Sequence, residues 1–143
     1  MARTLRVLAE TFPLLRPFRI SRGVKTEAQV VTVVLEANGV IGRGECVPYP
    51  RYGESVESTR AAIEGLRGAV EAGATRADLL RLLPYGAARN ALDCALWDLE
   101  MQQAGTGIGA ALGLPAVLPP VATALTVGLD TPERMGAAAR ELA

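Results

Sequence analysis

Residues 30–41 read VVTVVLEANGVI, and this stretch decides the fold that the sequence predicts. The β-branched and apolar run over residues 30–37 is typical of a strand. The dipeptide Asn38-Gly39 tolerates the two positive φ angles of a tight turn, and an apolar strand resumes directly after it. The sequence therefore predicts a β-hairpin at this point.

A further strand is predicted before the hairpin. Residues 4–15 alternate imperfectly between apolar and polar side chains, and Pro13 is expected to end the strand or to place it at a sheet edge. Residues 21–28, SRGVKTEA, are short and polar, so they are predicted to form an exposed loop.

Helices are predicted after the hairpin. A second loop over residues 44–55, GECVPYPRYGES, contains prolines and glycines that disfavour regular structure. Apolar residues then recur at spacings of three and four in residues 56–73, 76–83 and 87–105. Three antiparallel strands followed by helices predict an α+β domain in which the helices cover one face of a small sheet.

The last part of the sequence predicts the start of a second domain. Residues 121–129, VATALTVGL, are expected to form a strand, and Pro132 is expected to begin a helix. A strand followed directly by a helix is half of a βαβ unit. We therefore expect one domain over residues 1–118 and the beginning of another, truncated domain over residues 119–143.

The composition restricts the chemistry of this chain. Its 15 basic and 15 acidic residues balance, which argues against a nucleic-acid or membrane-surface partner. Histidine is absent and Lys25 is the single lysine, so histidine-based nucleophile activation and imidazole metal ligands are excluded within these residues.

Neither a signal peptide nor a membrane span is expected. Two cysteines outside any CxxC motif predict buried free thiols and a cytoplasmic location.

Polar side chains concentrate in the two predicted loops. Arg22 could offer a bidentate guanidinium to a carboxylate, with Lys25 adding a second positive charge, although ordinary solvated charges fit the same pattern. Tyr49 and Tyr52 flank an arginine, which could suit base stacking but more readily fits a packed turn. These residues alone do not identify a chemical reaction.

The sequence resembles a known family over nearly its whole length. Four stretches resemble the amino-terminal part of the enolase superfamily, in its muconate-lactonizing branch. These stretches are residues 16–28, RPFRISRGVKTEA, residues 41–55, IGRGECVPYPRYGES, residues 86–105, GAARNALDCALWDLEMQQAG, and residues 123–135, TALTVGLDTPERM. They are most similar to the dipeptide epimerases that act on L-Ala-D/L-Glu. The resemblance implies an N-terminal capping domain over the mouth of a modified TIM barrel.

The resemblance also implies roles for four substrate-binding residues. Arg22 matches the loop arginine that binds the side-chain carboxylate of the glutamyl residue. Thr126 matches a hydroxyl residue at the end of the first barrel strand that contacts substrate. Tyr49 and Tyr52 would line the second loop and help to exclude water.

The family chemistry implied is abstraction of a proton α to a carboxylate, with Mg²⁺ stabilising the enediolate and two lysines acting as base and acid. The motifs for these lysines and for the metal ligands are absent from residues 1–143. We therefore expect neither catalytic nor metal-binding residues in this chain, and we expect Mg²⁺ to bind in the missing barrel portion. The fragment by itself is then expected to be inactive.

Several alternatives stay open at this level. The whole protein could be another enzyme of the same branch, such as an o-succinylbenzoate synthase, an N-acylamino acid racemase or a muconate cycloisomerase. It could also be a non-catalytic module that binds a small anion. A dipeptide is the expected partner, neither nucleic acid nor membrane is expected, and a homo-oligomer is left open.

Overall fold

The structure is a computed structural model that describes residues 3–142, so residues 1–2 and 143, the outermost parts of the two expected domains, lie outside it. Its three strands form an antiparallel sheet in the order β1-β2-β3: β1 (Thr4–Ile20), β2 (Gly23–Ala37) and β3 (Val40–Cys46). The helices follow: α1 (Val56–Gly65), α2 (Arg67–Glu71), α3 (Arg76–Leu82), α4 (Ala87–Ala104), α5 (Ile108–Ala111) and α6 (Pro132–Leu142). The predicted α+β arrangement is confirmed.

The hairpin between β2 and β3 has the predicted turn. Asn38 and Gly39 both have positive φ angles, of 58° and 75°. Ala37 pairs with Val40 across the turn, and the register continues to Val31 opposite Cys46. Asparagine and glycine tolerate these angles better than other residues, so the local sequence sets the position of the turn.

The prediction for residues 21–28 is correct in their exposure, apart from the partly buried Ala28, but wrong in making all of them a loop. Only Ser21 and Arg22 form a turn, and β2 begins at Gly23. Pairing between strands satisfies backbone N–H and C=O groups whatever the side chains are, so exposed polar residues can continue a strand that the hairpin has already aligned. Pro13 does not end β1 either, since an edge strand has one side without ladder partners and tolerates proline there.

The predicted helix starts are confirmed by two capping boxes. The Ser55 hydroxyl accepts the N–H of Ser58 at the start of α1, and the Thr75 hydroxyl accepts the N–H of Asp78 at the start of α3. The helix predicted to run on to Gly73 is interrupted at Leu66, whose N–H donates to the Ile63 carbonyl three residues back. This tighter turn separates α1 from α2.

Helix α4 packs on β3 at very short range, and this contact organises the core. A Cβ atom on Gly42 would lie 2.5 Å from the Leu99 backbone nitrogen. Small residues at Ala91 and Ala95 complete the close approach from the helix side. The largest fully buried side chains are Leu35, Ile63, Leu79, Leu92, Leu96, Leu99, Val31, Val33 and Val70.

The predicted strand over residues 121–129 is not formed in the described chain. These residues lack strand structure, although the N–H of Leu129 donates to the Arg19 carbonyl of β1 at 2.8 Å. A strand needs a ladder of such bonds along a neighbour, and a single bond does not make one. The helix predicted at Pro132 is confirmed as α6, and the N–H of Met135 donates to the Thr131 carbonyl at 2.9 Å.

The described chain divides into two compact units. The first contains residues 3–10 and 29–116, with the helices α1 to α5. The second contains residues 11–28 and 117–142, with the outer half of the β1–β2 hairpin and α6. No helix within residues 3–142 has the length and apolar character needed to cross a membrane.

Candidate functional site

Arg22 lies at the tip of the β1–β2 hairpin, in the second unit. Its side chain is exposed, and the next residue, Gly23, has a φ of 148° that L side chains rarely adopt. The glycine allows the chain to reverse within two residues, so the Arg22 side chain lies at the turn of the β1–β2 hairpin. An exposed, planar guanidinium in this place is well suited to bind a carboxylate by two parallel hydrogen bonds.

Thr126 also lies in the second unit, on the irregular segment before α6. Its side chain is exposed. The bond between Leu129 and Arg19 holds this segment beside the end of β1, and Arg19 precedes Arg22 by only three residues. The structure thus places Thr126 and Arg22 on two segments of the second unit that this hydrogen bond joins.

Tyr49 and Tyr52 lie together in the first unit, on the loop between β3 and α1. Pro50–Tyr52 form a 3₁₀ turn, and Gly53 follows in the left-handed conformation with a φ of 75°. The centroids of the two tyrosine rings are 5.8 Å apart and their planes are inclined by 42°. This tilted ring pair is a favourable aromatic geometry. Tyr52 is 76% exposed, so its ring is available to a ligand.

Glu54 ends the same loop and has a role that sequence reasoning missed. Its Oε2 accepts the N–H of Tyr49 at 3.1 Å, and its Oε1 accepts the N–H of Ala87 at 2.6 Å. Ala87 is the first residue of α4, whose N-cap, Gly86, has no side chain to cap the helix. The glycine before this long helix was the one available signal, since it leaves room for a cap from another part of the chain.

Asp93 and Asp98 of α4 do not form a carboxylate pair at one site. The Oδ2 atom of Asp98 accepts the N–H of Arg43 at 2.7 Å, which joins α4 to β3. The spacing of Asp93 and Asp98 places them on different sides of the helix. The Asp98 carboxylate therefore serves the fold.

A groove of about 600 Å³ runs along α4 and α5 in the first unit. Apolar side chains such as Trp97, Met101 and Ile108 contribute to its lining, and its lining carboxylate is Asp98. Because Asp98 is already bonded to the backbone of β3, this groove does not combine an available acid with a base.

The two cysteines differ in exposure, so the prediction that both are buried is wrong for one of them. Cys46 is buried, and desolvation raises the pKa of its thiol to about 11. Cys94 is exposed on α4, and partial desolvation, with a smaller contribution from Asp93, raises its pKa. Cys46 lies on the side of β3 that faces the core. Cys94 lies on the exposed surface of α4, one residue before the buried Ala95.

Within residues 3–142, no group of three or more histidine, cysteine, aspartate or glutamate side chains is arranged to hold a metal ion.

Comparison with known proteins identifies a family. The model of the mandelate racemase/muconate lactonizing enzyme N-terminal domain matches residues 2–113. The chain is 48% identical over 141 residues to the L-Ala-D/L-Glu epimerase of Escherichia coli strain K12, and this match covers 98% of the chain and 43% of that protein.

Two solved structures give the same result for the fold. An enolase family member from Agrobacterium tumefaciens with homology to dipeptide epimerases, with bound sodium and L-Ala-L-Glu, matches with a TM-score of 0.89 and 46% identity over 97% of this chain and 42% of that chain. A dipeptide epimerase from Cytophaga hutchinsonii, complexed with Mg and the dipeptide D-Ala-L-Val, matches with a TM-score of 0.81 and 31% identity over 99% and 41% of the respective chains. The present chain spans about two fifths of the length of these relatives.

Proposed function

We propose, since the chain belongs to the mandelate racemase/muconate lactonizing enzyme N-terminal domain family, that the whole protein is an epimerase of dipeptides of the L-Ala-D/L-Glu type. One observation carries this proposal: the 48% identity to the Escherichia coli epimerase extends over 141 residues and so includes both the hairpin tip and the tyrosine loop. Residues that contact substrate are disproportionately found on such loops.

In this proposal the chain supplies substrate selection. Residues 1–118 would form a capping domain and residues 119–143 the beginning of a barrel domain. Arg22 would bind the side-chain carboxylate of the glutamyl residue, for which its exposed position at the hairpin tip is suitable. Thr126 would donate or accept a hydrogen bond to the dipeptide. The ring pair of Tyr49 and Tyr52 would cover the substrate and reduce its contact with water.

The proposed reaction removes the proton α to the carboxylate of the glutamyl residue and returns a proton on the opposite face. Bound Mg²⁺ would supply positive charge where the carboxylate oxygens become more negative. The chain covers 43% of the Escherichia coli epimerase, and we assign the metal, the base and the acid to the part of the enzyme that it does not span. The contribution of this chain is to bind and orient the dipeptide and to exclude water.

The proposal is tested on the full-length protein. We expect it to interconvert L-Ala-D-Glu and L-Ala-L-Glu and, in D₂O, to exchange the α-proton of the glutamyl residue, which proton NMR detects. Chelation of divalent cations should stop both processes. A panel of N-acylamino acids and of o-succinylbenzoate precursors serves as the comparison, and turnover of these compounds without dipeptide turnover would refute the proposal. Residues 1–143 expressed alone should show no exchange.

A cytoplasmic location is part of the same proposal. Both cysteines are free, and an exposed thiol such as Cys94 persists most readily in a reducing compartment. Fractionation of cells that express the full-length protein, followed by immunodetection in the cytoplasmic and periplasmic fractions, measures this directly.

A further inference from the structure

The Glu54 carboxylate joins two parts of the first unit that are far apart in sequence. One oxygen accepts the N–H of Tyr49, which lies five residues earlier, and the other accepts the N–H of Ala87, which lies 33 residues later. The side chain is half-buried, so neither bond is made in bulk water. Hydrogen bonds to an ionised carboxylate are among the stronger ones in proteins.

The bond to Ala87 gives a hydrogen-bond acceptor to the first N–H group of α4. The first N–H groups of a helix lack partners within the helix, and Gly86 at the N-cap has no side chain to supply one. Gly86 has a φ of 145°, and a Cβ atom there would lie 2.7 Å from the Oε1 atom of Glu54. The absence of a side chain at position 86 thus leaves space for a carboxylate from another part of the chain, placed at the positive end of the helix dipole.

The bond to Tyr49 closes the tyrosine loop on itself. Between Tyr49 and Glu54 the chain makes the 3₁₀ turn, and Gly53 reverses it with its left-handed conformation. The N–H of Tyr52 donates to the Tyr49 carbonyl at 2.9 Å, and the two ring centroids lie 5.8 Å apart. The loop is therefore compact, and the Glu54 side chain attaches it to α4.

Helix α4 is a rigid support for this attachment. Its buried leucines, Leu92, Leu96 and Leu99, are at most 2% exposed in the core of the first unit. A loop that is tied to such a helix is ordered before any ligand arrives, which lowers the entropic cost of binding.

We propose that Glu54 is a positioning residue: by joining Tyr49 to the first turn of α4, it holds the ring pair of Tyr49 and Tyr52 in the geometry that selects the dipeptide. The link to dipeptide selection rests on the proposed function, whereas the attachment itself does not. Glu54 acts through the two tyrosines and takes no part in proton transfer.

The test uses the full-length protein with Glu54→Gln, and with Glu36→Gln as the matched control, because Glu36 is an exposed carboxylate on β2. Glutamine keeps the size of the side chain but replaces one acceptor oxygen by a donor, so it cannot accept both N–H groups. Glu54→Asp keeps the charge and is one methylene shorter, so it should retain part of the effect.

Two measurements decide the outcome. In Glu54→Gln the amide hydrogen of at least one of Tyr49 and Ala87 should exchange about 10-fold faster than in the wild type, while those of core residues are unchanged. The KM for L-Ala-D-Glu should rise about 10-fold with a smaller change in kcat, because substrate binding must then order the loop. Glu36→Gln should leave both quantities as they are.

The results separate the two proposals. Unchanged exchange at Tyr49 and Ala87 overturns the positioning role, and so does faster exchange with an unchanged KM. If the wild-type protein does not act on any dipeptide, the proposed function fails and the selection role fails with it. The exchange measurement still establishes or refutes the attachment of the loop to α4 in that case.

Discussion

Gly44 of β3 lies directly against the backbone of Ala95 in α4, so that a Cβ atom on the glycine would come within 2.5 Å of the Ala95 nitrogen. The helix and the strand meet with no side chain between them at this point. Backbone atoms cannot move aside as the end of a flexible side chain can, so the contact depends on glycine at position 44.

We therefore expect Gly44→Ala to destabilise the protein by about 2–3 kcal/mol or more, because overpacking against backbone has no inexpensive relief. Denaturant unfolding measures the loss. The matched control is Gly68→Ala in α2, where an added Cβ would meet no atom within 4 Å. It should leave the free energy of unfolding unchanged or raise it by about 0.5–1 kcal/mol. Equal effects of the two substitutions would contradict the close packing of α4 on β3.

Arg22 provides a test of carboxylate recognition. Arg22→Met should raise the KM for L-Ala-D-Glu by about 10–100-fold, the value of one charged hydrogen-bonding pair, with little change in the free energy of unfolding. Arg22→Lys should recover only part of the affinity, because an ammonium group cannot bind a carboxylate in the bidentate manner. Steady-state kinetics of the full-length enzyme give these values, with Arg60→Met on the exposed surface of α1 as the control. An unchanged KM in Arg22→Met would remove this residue from the substrate site.

The two cysteines should react at very different rates. Cys46 is buried and has a pKa of about 11, so roughly 0.1% of it is thiolate at about pH 8. Cys94 is exposed and should be alkylated first by iodoacetamide, although its raised pKa makes it slower than an unperturbed thiol. Peptide mapping by mass spectrometry distinguishes the two sites. Early labelling of Cys46 in the native protein would show that β3 is not covered by α4.

The Asp78 carboxylate in the capping box of α3 should stabilise the protein only above acid pH. The hydroxyl and the N–H of Thr75 donate to the Asp78 carboxylate and lower the pKa of Asp78 below its ordinary value of 3.8. A carboxyl group with a lowered pKa in the folded state stabilises the protein when ionised, and this stabilisation is lost as the pH falls below about 4. Asp78→Asn should therefore be less stable than the wild type at about pH 6, and the difference should shrink at about pH 2. A difference that does not depend on pH would show that the carboxylate charge is not involved.

Local sequence was sufficient for the elements whose cause is local. The turn at Asn38 and Gly39 follows from two residues that tolerate positive φ angles, and the starts of α1 and α3 follow from serine and threonine caps. The substrate-binding roles of Arg22, Thr126, Tyr49 and Tyr52 came from family resemblance, and they stay predictions. What the structure adds for the two tyrosines is their ring contact on one loop.

The sequence by itself determined the hairpin, the capped helices and the family, because each depends on short patterns of residues. Tertiary structure decided the rest. The polar residues after Gly23 form a strand because the hairpin aligns them for pairing, which satisfies their backbone groups regardless of their side chains. Glu54 caps a helix that begins 33 residues later because Gly86 leaves room for its carboxylate. Such contacts join segments that are distant in the chain, so they form only once the core brings these segments together.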